Sequence, residues 1–396
     1  MRPEVYIPAE IEKEKIPWTI PMSVFKDYKP ETDEVLKRCF EVDFETSRIQ
    51  KVVKKPDELE KVRTLLFNAY KKLKGAYKYY SSISGSGDVW AIGTNMFTDL
   101  LTKCKMFDEV NLGLKDADLK FITTVTKTDP ALMKNPRNPE RMLVRYQFLE
   151  IWVRLADQKF LTSGIAANFP EAVEKVLNEH LIPYINTMDQ YFLPQKWREE
   201  RYWNEDVDTV YKSYLPIAQS LYKKYSGMKT KPGMKKFACI EELQKLAVDA
   251  GILNDNLVDR DIVICFNLSM MTQVDELNSD RIFQMVFVEF LEALARIADI
   301  YSAASPGEEE TVVGLEERKT RPLHLKLEGL LHILFNRVCD KSTKDSFILP
   351  ERSIFEEPNT GAVAPLPKKN SRKKILIRLD PVAFFFANAG SRIDVQ

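Results

Sequence analysis

The chain has 396 residues, enough for two or three domains that each bury a core. Its 58 basic and 58 acidic residues cancel, so no global field draws it to nucleic acid or to a membrane, and a charged partner must be met by a local patch. Five cysteines, odd in number and never in a CxxC pair, and the absence of a signal-like start or of 18 uninterrupted apolar residues predict a cytoplasmic protein without a disulfide frame.

Residues 1–57, with several prolines and anchors such as "IPWTIPMSVF", read as an extended arm carrying one short helix at "TDEVLKRCFEVDF". "PDELEKVRTLLFNAYKKLKGAYKYYS" predicts a helix with Asp57 as its cap and Glu60 three residues on. Leu59, Val62, Leu66, Ala69, Leu73, Ala76 and Tyr80 give it one apolar stripe. After the break "SGSGD", three further helical phrases follow: "NMFTDLLTKCKMF", "KDADLKFITTV" and "RYQFLEIWVRLADQKF".

The same order then recurs. "VDTVYKSYLPIAQSLYKKYS" ends as the first helix does, 145 positions on, and "IEELQKLAVDAGIL" follows at 146. "VDRDIVICF" sets Asp259 and Asp261 on Asp116 and Asp118 at 143. "VEFLEALARIADI" sets Phe290, Leu291, Glu292, Arg296, Ala298 and Asp299 on Phe148, Leu149, Glu150, Arg154, Ala156 and Asp157 at 142. Four correspondences in one order imply an internal duplication, with modules at 58–165 and 205–302. Between them, residues 166–204 predict a connecting helix bent at Pro183. Residues 303–340 read as a linker and an amphipathic helix, and 341–396 as an extended basic and aromatic tail.

A helix, a loop, a short apolar contact and another helix, written twice per module, resemble paired EF-hands. The resemblance is clearest at "MVFVEFLEALARIAD", where Met285, Phe287 and Glu289 match the eighth, tenth and twelfth loop positions and Phe290 the first core residue after them. It implies an all-α fold of two tandem EF-hand-like, calmodulin-lobe-like modules joined by a helix, with extended arms at either end. Calcium chemistry requires six to eight oxygens and a glycine at the sixth position. In the fourth loop Asn278 is first and Asp280 third, but Ile282 and Phe283 stand at the fifth and sixth positions. The second loop has Pro136 and Gln147 at its ends; the third offers Glu242 but carries Lys231, Lys235 and Lys236; the first ends in Met96 with Asp88 out of place. No metal is expected, and Asn278, Asp280 and Glu289 are the candidates should calcium bind at all.

Other chemistry is thinly represented. "GSG" at Gly85 lacks the lysine of a phosphate loop, and His180, His324 and His332 share no metal spacing. No GxSxG occurs, and Asp116 and Asp118 open a helix whose dipole accounts for them. The chain is therefore expected not to be an enzyme and to need no cofactor. The tail holds the candidates for partner binding: Lys368, Lys369, Arg372, Lys373, Lys374 and Arg378 in a non-helical basic run, and Phe384, Phe385 and Phe386, which water would not tolerate exposed.

The phrases "YKYYS…SGDVWAIGTNMFTDLL", "NPERMLVRYQFLEIWVRLAD" and "CFNLSMMTQVDEL…FVEFLEALARIAD" are similar to those of ciliary and flagellar EF-hand-like proteins of protists. That resemblance implies a structural component of the axoneme, bound to microtubules or to the complexes on them, with tubulin as one acidic partner for the basic run. A calcium sensor working through the fourth loop is the alternative.

Overall fold

The computed structural model describes residues 16–84, 90–108, 110–188, 193–308 and 312–356. The chain is mostly helical, and its contacts divide it into one unit up to Ile354 and another from Phe355. Among the described residues no helix is long and apolar enough to cross a membrane.

The N-terminal stretch carries α1 (Asp33–Thr46), capped by the Thr32 side chain, which accepts the Val35 N–H. Leu36, Cys39, Phe40 and Phe44 recur at helical spacing and are buried, so this stretch contributes a full 14-residue helix to the core. After the single turn α2 (Ile49–Val52), α3 (Pro56–Ser84) starts on a proline, whose fixed φ suits the first helical position and whose missing N–H costs nothing there. Asp57 consequently lies in the first turn, where the dipole favours it, and does not cap the helix.

β1 (Ile92–Gly93) leads into α4 (Thr94–Lys103), α5 (Leu114–Val125), the short α6 (Pro130–Lys134), β2 (Met142–Leu143) and α7 (Arg145–Ala156). β1 and β2 pair antiparallel with Ile92 opposite Leu143. The segment expected as one connecting helix is divided. α8 (Phe169–Lys175) passes through a π-helical turn, Val176–Leu181, into α9 (Ile182–Thr187); α10 (Pro194–Trp197) then runs into a second such turn, Arg198–Tyr202. The first wide turn sits directly before Pro183, which has no N–H to give and would strike the preceding turn of a regular helix.

α11 (Glu205–Ser213) and α12 (Leu215–Lys224) stand where a single helix is expected; Pro216 breaks it at Tyr214 for the same reason. α13 (Ile240–Asp249), α14 (Asp259–Ser269) and α15 (Phe287–Tyr301) follow, with Ala238 bridged antiparallel to Met285. α16 (Leu315–Lys319), α17 (Leu323–Val338) and α18 (Lys341–Ser346) close the described chain.

Corresponding helices keep corresponding neighbours. α5 packs on α4 and α7, as α14 packs on α13 and α15. The bridged residues Ile92 and Ala238, and Leu143 and Met285, are separated by the same 146 and 142 positions as the echoed phrases. The parallel extends past the expected module ends, because α8 lies across α3 and α7 just as α17 lies across α11, α12 and α15. Each four-helix set thus has its apolar groove filled by a fifth helix of the same chain. Leu327, Leu330, Leu331 and Leu334 of α17 are fully buried, each side chain worth roughly 1.5–3 kcal/mol of removal from water. The two sets meet along α3 and α14, where the Asn267 amide donates to Ser82 Oγ at 2.6 Å and Trp90 stacks between Phe266 and Phe283.

Candidate functional site

The loop from Asn278 to Glu289 gathers the residues singled out for a metal. Glu289 is the third residue of α15 and is fully buried. One carboxylate oxygen accepts the Val286 N–H at 2.8 Å, which caps its own helix; the other accepts the Met271 N–H at 2.7 Å, just past the end of α14. A single side chain therefore ties the end of the entering helix to the start of the exiting one.

The positive charge in this loop comes from the protein itself. Arg281 donates to Glu289 Oε2 at 2.7 Å and also to the carbonyl of Gln284. In an EF-hand count Gln284 is the seventh position, whose carbonyl faces the ion, and Glu289 is the twelfth, whose carboxylate grips it. The guanidinium thus bridges the two groups a divalent ion would bridge. The other candidate oxygens are also engaged: Asp280 pairs with Arg137 of the neighbouring loop, and the Asn278 amide binds Asp275 at 2.8 Å and meets Asn135. As a cage for calcium this donor set does not fit, since a second cation would have to expel two arginines and two bulky apolar residues fill the fifth and sixth positions.

The third loop is closed the same way without any cation. Glu242 accepts the Met228 N–H at 2.8 Å and the Cys239 N–H at 2.9 Å, again joining both sides of a loop. In the second loop Gln147 caps α7 by accepting the Val144 N–H at 3.0 Å, and Pro136 precedes Arg137. Met96, at the end of the first loop, has no side-chain oxygen to offer; Gly85 and Asp88 lie outside the described residues.

Behind the loops, the repeated phrase "FLE" has a physical content. Glu150 accepts Arg154 Nε at 2.7 Å and the Arg48 backbone N–H at 2.8 Å; Glu292 accepts Arg296 Nε at 2.9 Å and Arg198 Nε at 2.8 and 2.9 Å. Both glutamates are fully buried. In each half, an arginine just ahead of the first helix reaches the same glutamate on the fourth. Arg198 also donates to the Leu268 carbonyl at 2.7 Å and lies over the Tyr28 ring.

Segment 270–277 wedges between the halves. Arg145 donates to Asp43 at 2.7 Å, to Glu276 at 2.7 Å and to the carbonyls of Gln273 and Val274. Lys74 pairs with Glu31 and Thr272, and Lys78 donates to the Met270 carbonyl. Burial, aided by Arg198 and Lys74, pushes the Lys78 ammonium down to about 7. A cleft of about 90 Å³ lies beside Arg145, Trp90 and Phe283.

The three histidines are dispersed over the described residues. His180 meets the Cys104 carbonyl, His324 lies near Asp206, and His332 sits against the Tyr214 hydroxyl, in three separate places. All five cysteines are buried free thiols, and among the described residues no cluster of three or more His, Cys, Asp or Glu is arranged to hold a metal. Asp116 and Asp261 each accept the N–H ahead of their helix, at 2.9 Å, in matching caps, so the two helices correspond at 145 positions and Asp261 stands on Asp116, not on Asp118 as the expected offset of 143 had it.

The tail candidates Lys368, Lys369, Arg372, Lys373, Lys374, Arg378, Phe384, Phe385 and Phe386 lie outside the described residues. Comparison of the chain with family models, curated proteins and solved structures finds no match.

Proposed function

We propose that this chain is a non-enzymatic structural protein built from two degenerate EF-hand-like modules whose loops are held shut without calcium. The observation that carries this reading is Arg281, a tethered cation bridging Gln284 and Glu289 in the loop with the best calcium credentials. An ion sensor works by gaining charge and changing the angle between its helices. Here the charge is part of the chain, and each groove that such a change would open is covered by α8 or α17.

The resemblance of the three quoted phrases to those of ciliary and flagellar EF-hand-like proteins favours an axonemal setting. Partners are then other proteins of a large assembly, with tubulin among them, engaged through outer surfaces and the tails. The alternative, a calcium sensor using Asn278, Asp280 and Glu289, is separated from this by titration calorimetry. We expect no heat of calcium binding below millimolar ion. Binding tighter than about 10 micromolar, within the sensor range, that disappears in Glu289→Gln would overturn the proposal. Co-sedimentation with microtubules from an axonemal extract, retained at low salt and reversed at high salt, tests the setting.

A further inference from the structure

The third loop projects from the second module with an unusual surface. Met228 and Met234 are 62% and 67% exposed, and residues 231–236 are exposed throughout. Lys231, Lys235 and Lys236 form no ion pair with any described residue, while Lys229 is held by Glu241. Two exposed methionines thus share one short loop with three exposed lysines that have no acidic partner among the described residues.

The loop is built, not slack. Gly227 and Gly233 take φ of 108° and 82°, a backbone region in which a side chain is strained, and Pro232 lies between them. Gly227 N–H donates to the Phe237 carbonyl at 3.0 Å, Thr230 N–H to Gly227 at 3.1 Å, and Met234 N–H to Lys231 at 3.1 Å. The Tyr222 hydroxyl lies within hydrogen-bond reach of the Lys236 carbonyl at 3.2 Å and the Met285 carbonyl at 3.1 Å, and Glu242 holds the base. A loop fixed before it meets its partner loses little freedom on binding.

We infer that residues 228–236 are a docking surface for a carboxylate-rich segment of a partner protein. The charge selects the sign of the partner, and the chemistry selects its class. With no arginine in the loop there is no planar fork for bidentate phosphate recognition, and the separate lysine point charges suit carboxylates spaced along a peptide. Residues 228–236 contain no aromatic ring, the nearby Tyr225 is buried and Phe237 is only partly exposed, which leaves no fully exposed ring for bases to stack on or to wedge into a bilayer. Methionine is flexible and polarizable, suited to the side-chain stems of a varied acidic peptide. This reading rests on the proposal of a structural interaction protein and names the chemistry of one partner.

The test uses the full chain in EDTA with a fluorescent polyglutamate peptide of twenty residues as probe. Wild type binds it, and the affinity falls as salt is raised. Lys231→Glu/Lys235→Glu/Lys236→Glu weakens it by about tenfold or more, as the loss of three exposed pairs implies. Met228→Ser/Met234→Ser weakens it severalfold with less dependence on salt. Both variants alter exposed side chains and should melt with the wild type. Equal binding by the triple variant overturns the inference, as does a loss produced only by Lys368→Gln/Lys369→Gln/Lys373→Gln/Lys374→Gln in the tail. Preference for phosphatidylserine vesicles or duplex DNA over polyglutamate overturns it too. Calcium heats decide the parent proposal separately, because the peptide assay contains no calcium.

Discussion

A Cβ built on Gly329, in the middle of α17, would overlap the backbone carbonyl oxygen of Ala304. The helix that fills the second groove therefore lies directly on the chain leaving α15, at a distance only glycine permits. In an open helix Gly→Ala would stabilise by about 0.5–1 kcal/mol. Here the obstacle is backbone and cannot swing aside, so Gly329→Ala should instead cost on the order of 1–3 kcal/mol. Urea unfolding measures it, and an unchanged or raised midpoint would show that α17 can lift away.

Arg281→Met should leave Glu289 buried without its counter-charge. Breaking a fully buried pair costs about 3–5 kcal/mol, and because the Arg281 side chain is partly exposed the cost should fall below that range, to roughly 2–3 kcal/mol. The sign with pH follows from burial, which already raises the Glu289 carboxyl above its ordinary 4.5, opposed by Arg281 and two backbone N–H groups. Removing the arginine raises it further. A raised carboxyl is penalised while ionised, so the deficit should be full near neutral pH and fade as pH falls toward 4.5. Unfolding curves at pH 7 and pH 5 check this; equal deficits at both would mean that the lost interaction is not electrostatic.

The repeated glutamates should differ in sensitivity. Glu292 neutralises Arg198 and Arg296, both almost entirely buried, whereas the side chains of Arg48 and Arg154 beside Glu150 are 17% and 15% exposed. Glu292→Gln is expected to cost about 3–5 kcal/mol and Glu150→Gln distinctly less. Thermal melts of the two variants side by side would refute this ranking if the order were reversed.

Lys78 gives the chain a response to alkali. Its ammonium is brought down to about 7 by burial first and by Arg198 and Lys74 next, with Glu276 and Glu292 pulling the other way. Between about pH 7 and its ordinary 10.5 the unfolded chain binds the extra proton, so this group makes stability rise with pH across that window. Lys78→Met should remove the rise. Matching slopes for variant and wild type between pH 7 and 9 would assign it elsewhere.

Part of the architecture is legible in the sequence because burial imposes a helical period on α3 and α17, while α7 and α15, buried nearly all round, announce themselves by repeating the same buried letters, Phe148, Leu149 and Glu150 beside Phe290, Leu291 and Glu292. The echo of "FLE" and a following arginine marks a charge pair, recognisable once Glu150 and Glu292 are seen to be buried. Helix ends are less legible: Pro216 splits one helix and Pro183 widens another, while Pro56 simply starts one. Arg281 is the instructive omission. Counting loop positions asks which oxygens are missing, and a cation supplied from within the loop leaves no mark in that count. Nor does an apolar stripe say where it will lie; α8 and α17 read as a connector and an appendage until their contacts with α3, α7, α12 and α15 are known.

That each groove is filled by a helix encoded downstream of it fixes an order of events at the ribosome. The first half can close once Thr187 has emerged, while the second must wait, its greasy seam wet, until Val338 is made. A nascent chain stalled or cut between Tyr301 and Leu323 would carry one finished half and one sticky one, the kind of product that chaperones retain and proteases remove.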